Sequence, residues 1–207
     1  MDLDFVQDRV RAHRPMVADA PVSTRAAVAI VLQPGEHGAE FIAIHRAHRH
    51  GDPWSGHMAL PGGKQDARDA DLQCTALRET REEVGVDLAR LGEVVGHLDD
   101  LRAVARGRVL DMVIRPYVWR LHTPALLTPD HREVQSAFWI PVASLRRHDA
   151  RGSIRYTLDG QELDLPAFLY QGHTIWGLTH RILTGLLEIL DRGGRRCRCV
   201  DAADVLS

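Results

Sequence analysis

Three glutamates, Glu79, Glu82 and Glu83, stand at i, i+3 and i+4 within "DLQCTALRETREEVG", and the pair Gly62-Gly63 precedes them. No other segment constrains the fold as strongly. Leu72, Ala76, Leu77, Thr80 and Val84 recur at helical spacing, which predicts a helix from about Asp71 to Val84. Gly85 follows, where glycine adopts the left-handed conformation cheaply and ends the helix. At 3.6 residues per turn the three carboxylates share one face. Like charges at this spacing repel, and the carboxyl end of a helix disfavours anions. Arg78 and Arg81 relieve only part of that cost. A solvated acidic face is one reading. The other supplies the missing partner, a hard divalent cation such as Mg2+ or Mn2+, which takes carboxylate oxygens and bridges to phosphates. Gly62 and Gly63 let the backbone approach a ligand closely and leave their carbonyls as further oxygen donors. Lys64 can face a phosphate, and Asp69 can pair with Arg78 to anchor the loop against the helix.

The rest of the chain mixes strand and helix patterns. Leu3, Val6 and Val10 predict a helix over residues 3–13, ended by Pro15. Runs at 25–33 and 39–46 read as a hairpin around Pro34-Gly35. Residues 47–57 form a polar loop, and "HMAL" a short strand. Strands are expected at 91–98, 109–121 and 133–140, with "DDLRAVARGR" as a charged connection between the first two. "PVASL" reads as a short turn-helix. A second hairpin is expected around Asp159-Gly160. A helix is expected over 174–190, with Ile175, Leu178, Ile182, Leu186 and Ile189 on one side. On it, Trp176 reads as a core residue and His180 as a surface or satisfied core residue. These patterns imply an α+β fold, a sheet packed by helices. The expected organisation is an N-terminal helical extension (1–23), one main domain (24–192) and a C-terminal tail (193–207).

The chain of 207 residues is 44% hydrophobic, enough for one sizeable core. A formal net charge of -2 gives no basic field for nucleic acid. No apolar run approaches the roughly 20 residues of a membrane helix. Cys74, Cys197 and Cys199 lack a zinc-type spacing, which suits reduced thiols in a cytoplasmic protein. The sequence is compatible with a homodimer.

The stretch from Gly63 to Val86 resembles the Nudix box, G-x5-E-x7-R-E-U-x-E-E-x-G-U, in which U is a bulky aliphatic residue. Arg78-Glu79, Glu82-Glu83 and Gly85-Val86 match it. Asp69 replaces the first glutamate, eight residues instead of seven separate it from Arg78, and Thr80 takes an aliphatic position. The resemblance implies a Nudix-type α/β/α sandwich with a mixed sheet. It also implies hydrolysis of a nucleoside diphosphate derivative with Mg2+ or Mn2+. Glu79, Glu82 and Glu83 would carry the metal, assisted by the Gly63 carbonyl, with Asp69, Arg78 and Gly85 supporting the box. Such a cation lowers the pKa of bound water and neutralises phosphate charge, and without it the crowded carboxylates should be harder to ionise.

Outside the box, "SGHMALPGG", "VIRPYVWRL", "EVQSAFWIPVASL" and "IWGLTHRIL" are similar to segments of the coenzyme A pyrophosphatase-like subfamily. The substrate so implied is coenzyme A or an acyl-CoA. A nucleotide sugar, ADP-ribose or a damaged nucleotide stays open, as does a non-catalytic regulator that only binds a nucleotide. Glu79, Glu82 and Glu133 are the candidate catalytic acids. Glu133 offers a base or a metal ligand from outside the box. Arg46 and Lys64 are candidates for phosphate contact, and Trp54 and His57 for adenine or phosphate, against ordinary roles in anchoring the loop. No nucleic-acid or membrane partner is expected.

Overall fold

Alternation at a period of two organises the centre of the molecule. The computed structural model describes residues 1–18, 21–51, 54–105, 107–158 and 160–191. The chain begins with helix α1 (Leu3–Ala12) and the strands β1 (Thr24–Gly35) and β2 (Gly38–Arg46). Two short strands follow, β3 (Met58–Ala59) and β4 (Gly62–Lys64), then helix α2 (Leu72–Val84) and a single turn, α3 (Leu88–Leu91). Strands β5 (Gly92–His97), β6 (Leu101–Ala105), β7 (Arg108–Leu121) and β8 (Val134–Pro141) complete the main sheet. Two 3-10 turns, Val142–Arg146 and His148–Ala150, lead into a three-stranded sheet of β9 (Arg151–Leu158), β10 (Gln161–Tyr170) and β11 (His173–Trp176). Helix α4 (Gly177–Asp191) closes the described chain.

On β1, Ala27, Ala29 and Val31 pack with Leu72, Ala76 and Val84 of α2. Ile30 and Leu32 point the other way and pack with Val6 and Val10 of α1 and Leu183 and Leu186 of α4. On β2, Ile42 and Ile44 take the first side, Phe41 and Ala43 the second. Successive side chains of a strand leave opposite faces of the sheet, so two strands covered on both faces read as continuous apolar runs. The result is the expected α/β/α sandwich. The sheet is mixed: β1 pairs antiparallel with β2 and parallel with β7, in a register that joins Ala26 to Ile114 and Leu32 to Arg120. Helix α1 is capped by Asp2, whose carboxylate accepts from the amides of Asp4 (2.8 Å) and Phe5 (3.2 Å).

Most predicted elements form within a residue or two of their expected ends. Three differ. The expected charged connection contains β6, which pairs with β7 and buries Ala103 completely. Its charges sit on either side of an alternating pattern too short to stand out. The helix expected from Thr174 starts at Gly177, and Ile175 and Trp176 belong to β11, where Trp176 pairs with Ala167. Ile175 is buried from a strand at a position that also fits the helical stripe. The single turn α3, capping the approach to β5, has no apolar period of its own. Asp159 of the predicted turn and the predicted tail at 193–207 lie outside the described residues.

Candidate active site

The site grows from the edge where β4 meets β1. Gly63 pairs with Ala27 and Gly62 with Val28. A Cβ on Gly62 would lie 2.3 Å from the Ala27 carbonyl oxygen, and one on Gly63 would lie 2.4 Å from a Glu79 carboxylate oxygen. Only glycine leaves room for both approaches. From there the chain turns into α2. Asp71 caps it by accepting from the Cys74 amide (2.7 Å), and Gly85 ends it at φ 72°, donating to the Arg81 carbonyl at 3.1 Å.

The three glutamates of α2 meet different surroundings. Glu83 is only 2% exposed and accepts from the Gly62 amide at 2.8 Å. Arg46 Nη1 stands 3.8 Å from it. Burial pushes the Glu83 carboxyl up to about 8; Glu79 and Glu133 add repulsion, while the Gly62 amide and Arg46 oppose the shift. Glu79 is also shifted upward, again chiefly by burial, with Arg78 opposing. The expected resistance to ionisation is therefore present at these two acids, but burial outweighs crowding as its cause. Glu82 is the outer member, its side chain 57% exposed.

Arg78 ties the group together. Its Nη1 donates to Glu79 at 2.8 Å and to Glu82 at 3.0 Å. Its Nε and Nη2 hold Asp69 in a fork at 3.0 and 2.9 Å, and Nη2 also donates to the Lys64 carbonyl at 3.2 Å. Asp69 further accepts from Thr75 Oγ1 (3.0 Å) and from the Asp66 amide (2.9 Å). The Arg78 guanidinium holds its carboxyl well below the usual range. The sequence-predicted pair of Asp69 and Arg78 thus forms despite the extra residue between them, which the loop before α2 absorbs.

A cavity of about 440 Å3 opens beside these groups. Arg46, Gly63, Lys64, Glu79, Glu83 and Glu133 line it with charge and backbone, and Val28, Met112, Ile114 and Leu178 line it with apolar surface. Trp54, His57 and Trp176 complete the lining. The His57 ring lies 4.6 Å from that of Trp176, and its amide donates to the Trp54 carbonyl at 3.1 Å. Glu133, just before β8, accepts from Arg49 Nη2 at 3.0 Å. All the proposed substrate contacts, Arg46, Trp54, His57 and Lys64, therefore share one cavity with Glu79, Glu83 and Glu133. Glu82 is not part of its lining, and Asp69, Arg78 and Gly85 shape the loop and helix behind it. Trp176, expected in the core, lines the cavity from β11. Met112, Ile114 and Thr179 also line it and were not singled out from sequence. The alternation of β7 shows that Met112 and Ile114 share a face, yet only the folded sheet shows that this face meets a cavity. Thr179 lies in "IWGLTH", a segment whose resemblance was visible and whose role was not.

Among the described residues, no three acidic, histidine or cysteine side chains are already spaced to share one ion. The donor chemistry still fits a hard divalent cation. Glu79 and Glu83 face the cavity with oxygen donors only, and burial makes the Glu83 carboxyl harder to ionise. A divalent cation is the kind of charge that reverses such a shift. No helix among the described residues is long and apolar enough to cross a membrane.

Comparison with known proteins adds to this geometry. A family model described as the NUDIX domain matches residues 23–159. The human mitochondrial coenzyme A diphosphatase NUDT8 is 33% identical over 141 residues, covering 67% of this chain and 57% of its own length. The chain thus spans little more than half of that relative. An uncharacterised Nudix hydrolase, NudL of Enterobacter sp. (strain 638), is 28% identical over 188 residues, covering 90% of this chain and 93% of its own. Among solved structures, a MutT/nudix family protein from Enterococcus faecalis superposes with a TM-score of 0.53 at 18% identity. That match covers 93% of this chain and 71% of the other, and it shows a shared fold.

Proposed function

Because the chain belongs to the NUDIX domain family, we propose that it is a metal-dependent diphosphatase whose substrate is coenzyme A or an acyl-CoA. One observation carries the reading: Glu79, Glu83 and Glu133 converge on a single cavity beside the Gly62-Gly63 backbone. The name of the human relative supports the choice of substrate, as do the segments outside the box. In this reading residues 24–192 form the hydrolase domain and residues 1–23 a helical extension.

Glu79, Glu82 and Glu83, with the Gly63 carbonyl, would hold Mg2+ or Mn2+. When bound, that cation neutralises phosphate charge and makes water easier to deprotonate. Lys64 and Arg46 face phosphate oxygens from the cavity lining, and Trp54 and His57 contact the adenine or a phosphate. Glu133 takes the proton as water attacks one phosphorus. The bond from that phosphorus to the bridging oxygen breaks, giving an adenosine 3′,5′-bisphosphate and a phosphopantetheine product. Glu83 is almost wholly buried, so its charge acts through a lower dielectric than that of water.

The test is a panel of coenzyme A, ADP-ribose, a nucleotide sugar and an oxidised dGTP, each with Mg2+ and with Mn2+, scored by product mass. Coenzyme A turned over with the highest kcat/KM is the expected outcome. Preference for another member reassigns the substrate. Tight nucleotide binding with no turnover on any member overturns the enzymatic reading and leaves a binding domain.

A further inference from the structure

The charged groups assigned to the diphosphate come from β2, β4, α2 and the start of β8. A separate part of the same cavity is built by the beginning of α4, through Leu178, Thr179 and Ile182. The first amides of a helix have no partner within it, and they carry the positive end of its dipole. Here the preceding residue is Trp176, whose indole can only donate, so that side chain cannot cap them. No acidic residue occupies the first turn. Thr179 lies in this turn and is only 9% exposed. It lines the cavity, and its hydroxyl has no hydrogen-bond partner among the described residues.

We propose that the first turn of α4 is a second phosphate subsite. The Thr179 hydroxyl and the uncapped amides would bind a phosphomonoester of the substrate that is distinct from the diphosphate being cleaved. A helix start favours anions, and the apolar side chains of Leu178 and Ile182 beside it strengthen each hydrogen bond by lowering the local dielectric. The alternative position for such a group, beside Glu79, Glu83 and Glu133, is repulsive once the cation there is occupied by the diphosphate. A nucleoside diphosphate derivative carrying an extra phosphate on its ribose, as coenzyme A does, presents both groups at once. The subsite rests on the diphosphatase reading above and narrows it to substrates with that third phosphate.

The decisive comparison is coenzyme A against its 3′-dephospho form. The wild-type protein should favour coenzyme A in kcat/KM by about tenfold or more, the worth of one to two hydrogen bonds to a charged group. Thr179→Val, nearly isosteric, should reduce that ratio by about tenfold, and Thr179→Ser, which keeps a hydroxyl, should restore most of it. Equal kcat/KM on the two compounds in the wild type would overturn the proposal and leave the diphosphatase reading standing. So would an equal loss on both in Thr179→Val, which would place Thr179 on the nucleobase or the diphosphate. Failure to hydrolyse either compound removes coenzyme A as the substrate instead, and calorimetry then decides the subsite alone. Adenosine 3′,5′-bisphosphate should bind more tightly than AMP to the wild type, and that difference should shrink in Thr179→Val. Equal affinities would end the proposal.

Discussion

Arg78 meets three acids with one guanidinium, and they differ in what they lose if it is disturbed. Asp69, almost buried and held in a fork, depends on it for stability. Asp69→Asn should lower the unfolding free energy by about 2–3 kcal/mol at pH 7, as expected for charge-assisted hydrogen bonds, read from a shift in denaturant midpoint. The pH dependence follows from the sign. Because the folded-state pKa is depressed, the wild-type contribution is complete above the ordinary carboxylate value near ~4 and fades as pH falls below it. The gap between wild type and variant should therefore narrow in acid. A gap that is constant from pH 7 down to pH 2 would show that the charge of Asp69 is not what stabilises the loop. Glu82 is the contrasting case, exposed and held only by Arg78 Nη1. Glu82→Gln should leave the midpoint within experimental error and cut turnover by about a hundredfold or more, the usual cost of removing a charge-stabilising group. Full turnover of that variant with Mg2+ would take Glu82 out of the metal site.

At the level of elements, β4 and α2 form one functional unit because glycine lets them touch. Gly63→Ala places a methyl group 2.4 Å from the Glu79 carboxylate, so Glu79 must swing away. Turnover at saturating substrate should fall at least about tenfold, with the Mg2+ concentration for half-maximal activity rising. An unchanged metal titration would separate Glu79 from cation binding. The helical half of this unit was legible in the sequence because its cues are local: helical period, terminal Gly85 and the spacing of the acids. Elsewhere local cues ran out. Strand β6 is hidden among charges because pairing with β7, a long-range interaction, decides it. Strand β11 is hidden because Ile175 satisfies both a strand and the helical stripe of α4. Trp176 and Thr179 escaped for the same reason. Whether a side chain meets a cavity or a core depends on which elements lie opposite it, and no spacing within "IWGLTH" records that.

Across the whole molecule, cation and catalysis should be inseparable. A chelator should abolish turnover, and added Mg2+ or Mn2+ should restore it; hydrolysis that survives the chelator would point to a different mechanism. Helix α1 belongs to the same scale. Leu3, Val6 and Val10 are buried in the cluster that also holds Ile189 and Leu190 of α4. Removing residues 1–18 should expose that cluster and lower the melting temperature by several degrees or more. An unaltered melting curve would make the helix an ornament to the fold.

The parallel pairing of β1 with β7 also bears on time. The strands joined by that register, Ala26 with Ile114, are separated in the chain by the five strands β2 to β6 and by helices α2 and α3. Closing so long a loop costs entropy before any ladder bond rewards it, so this contact belongs to the late part of folding. The cavity floor, with Ala26 on one strand and Met112 and Ile114 on the other, exists only after that closure. During refolding from denaturant, helical signal should rise first and hydrolytic activity should lag behind it, making catalysis a clock for the docking of two distant strands.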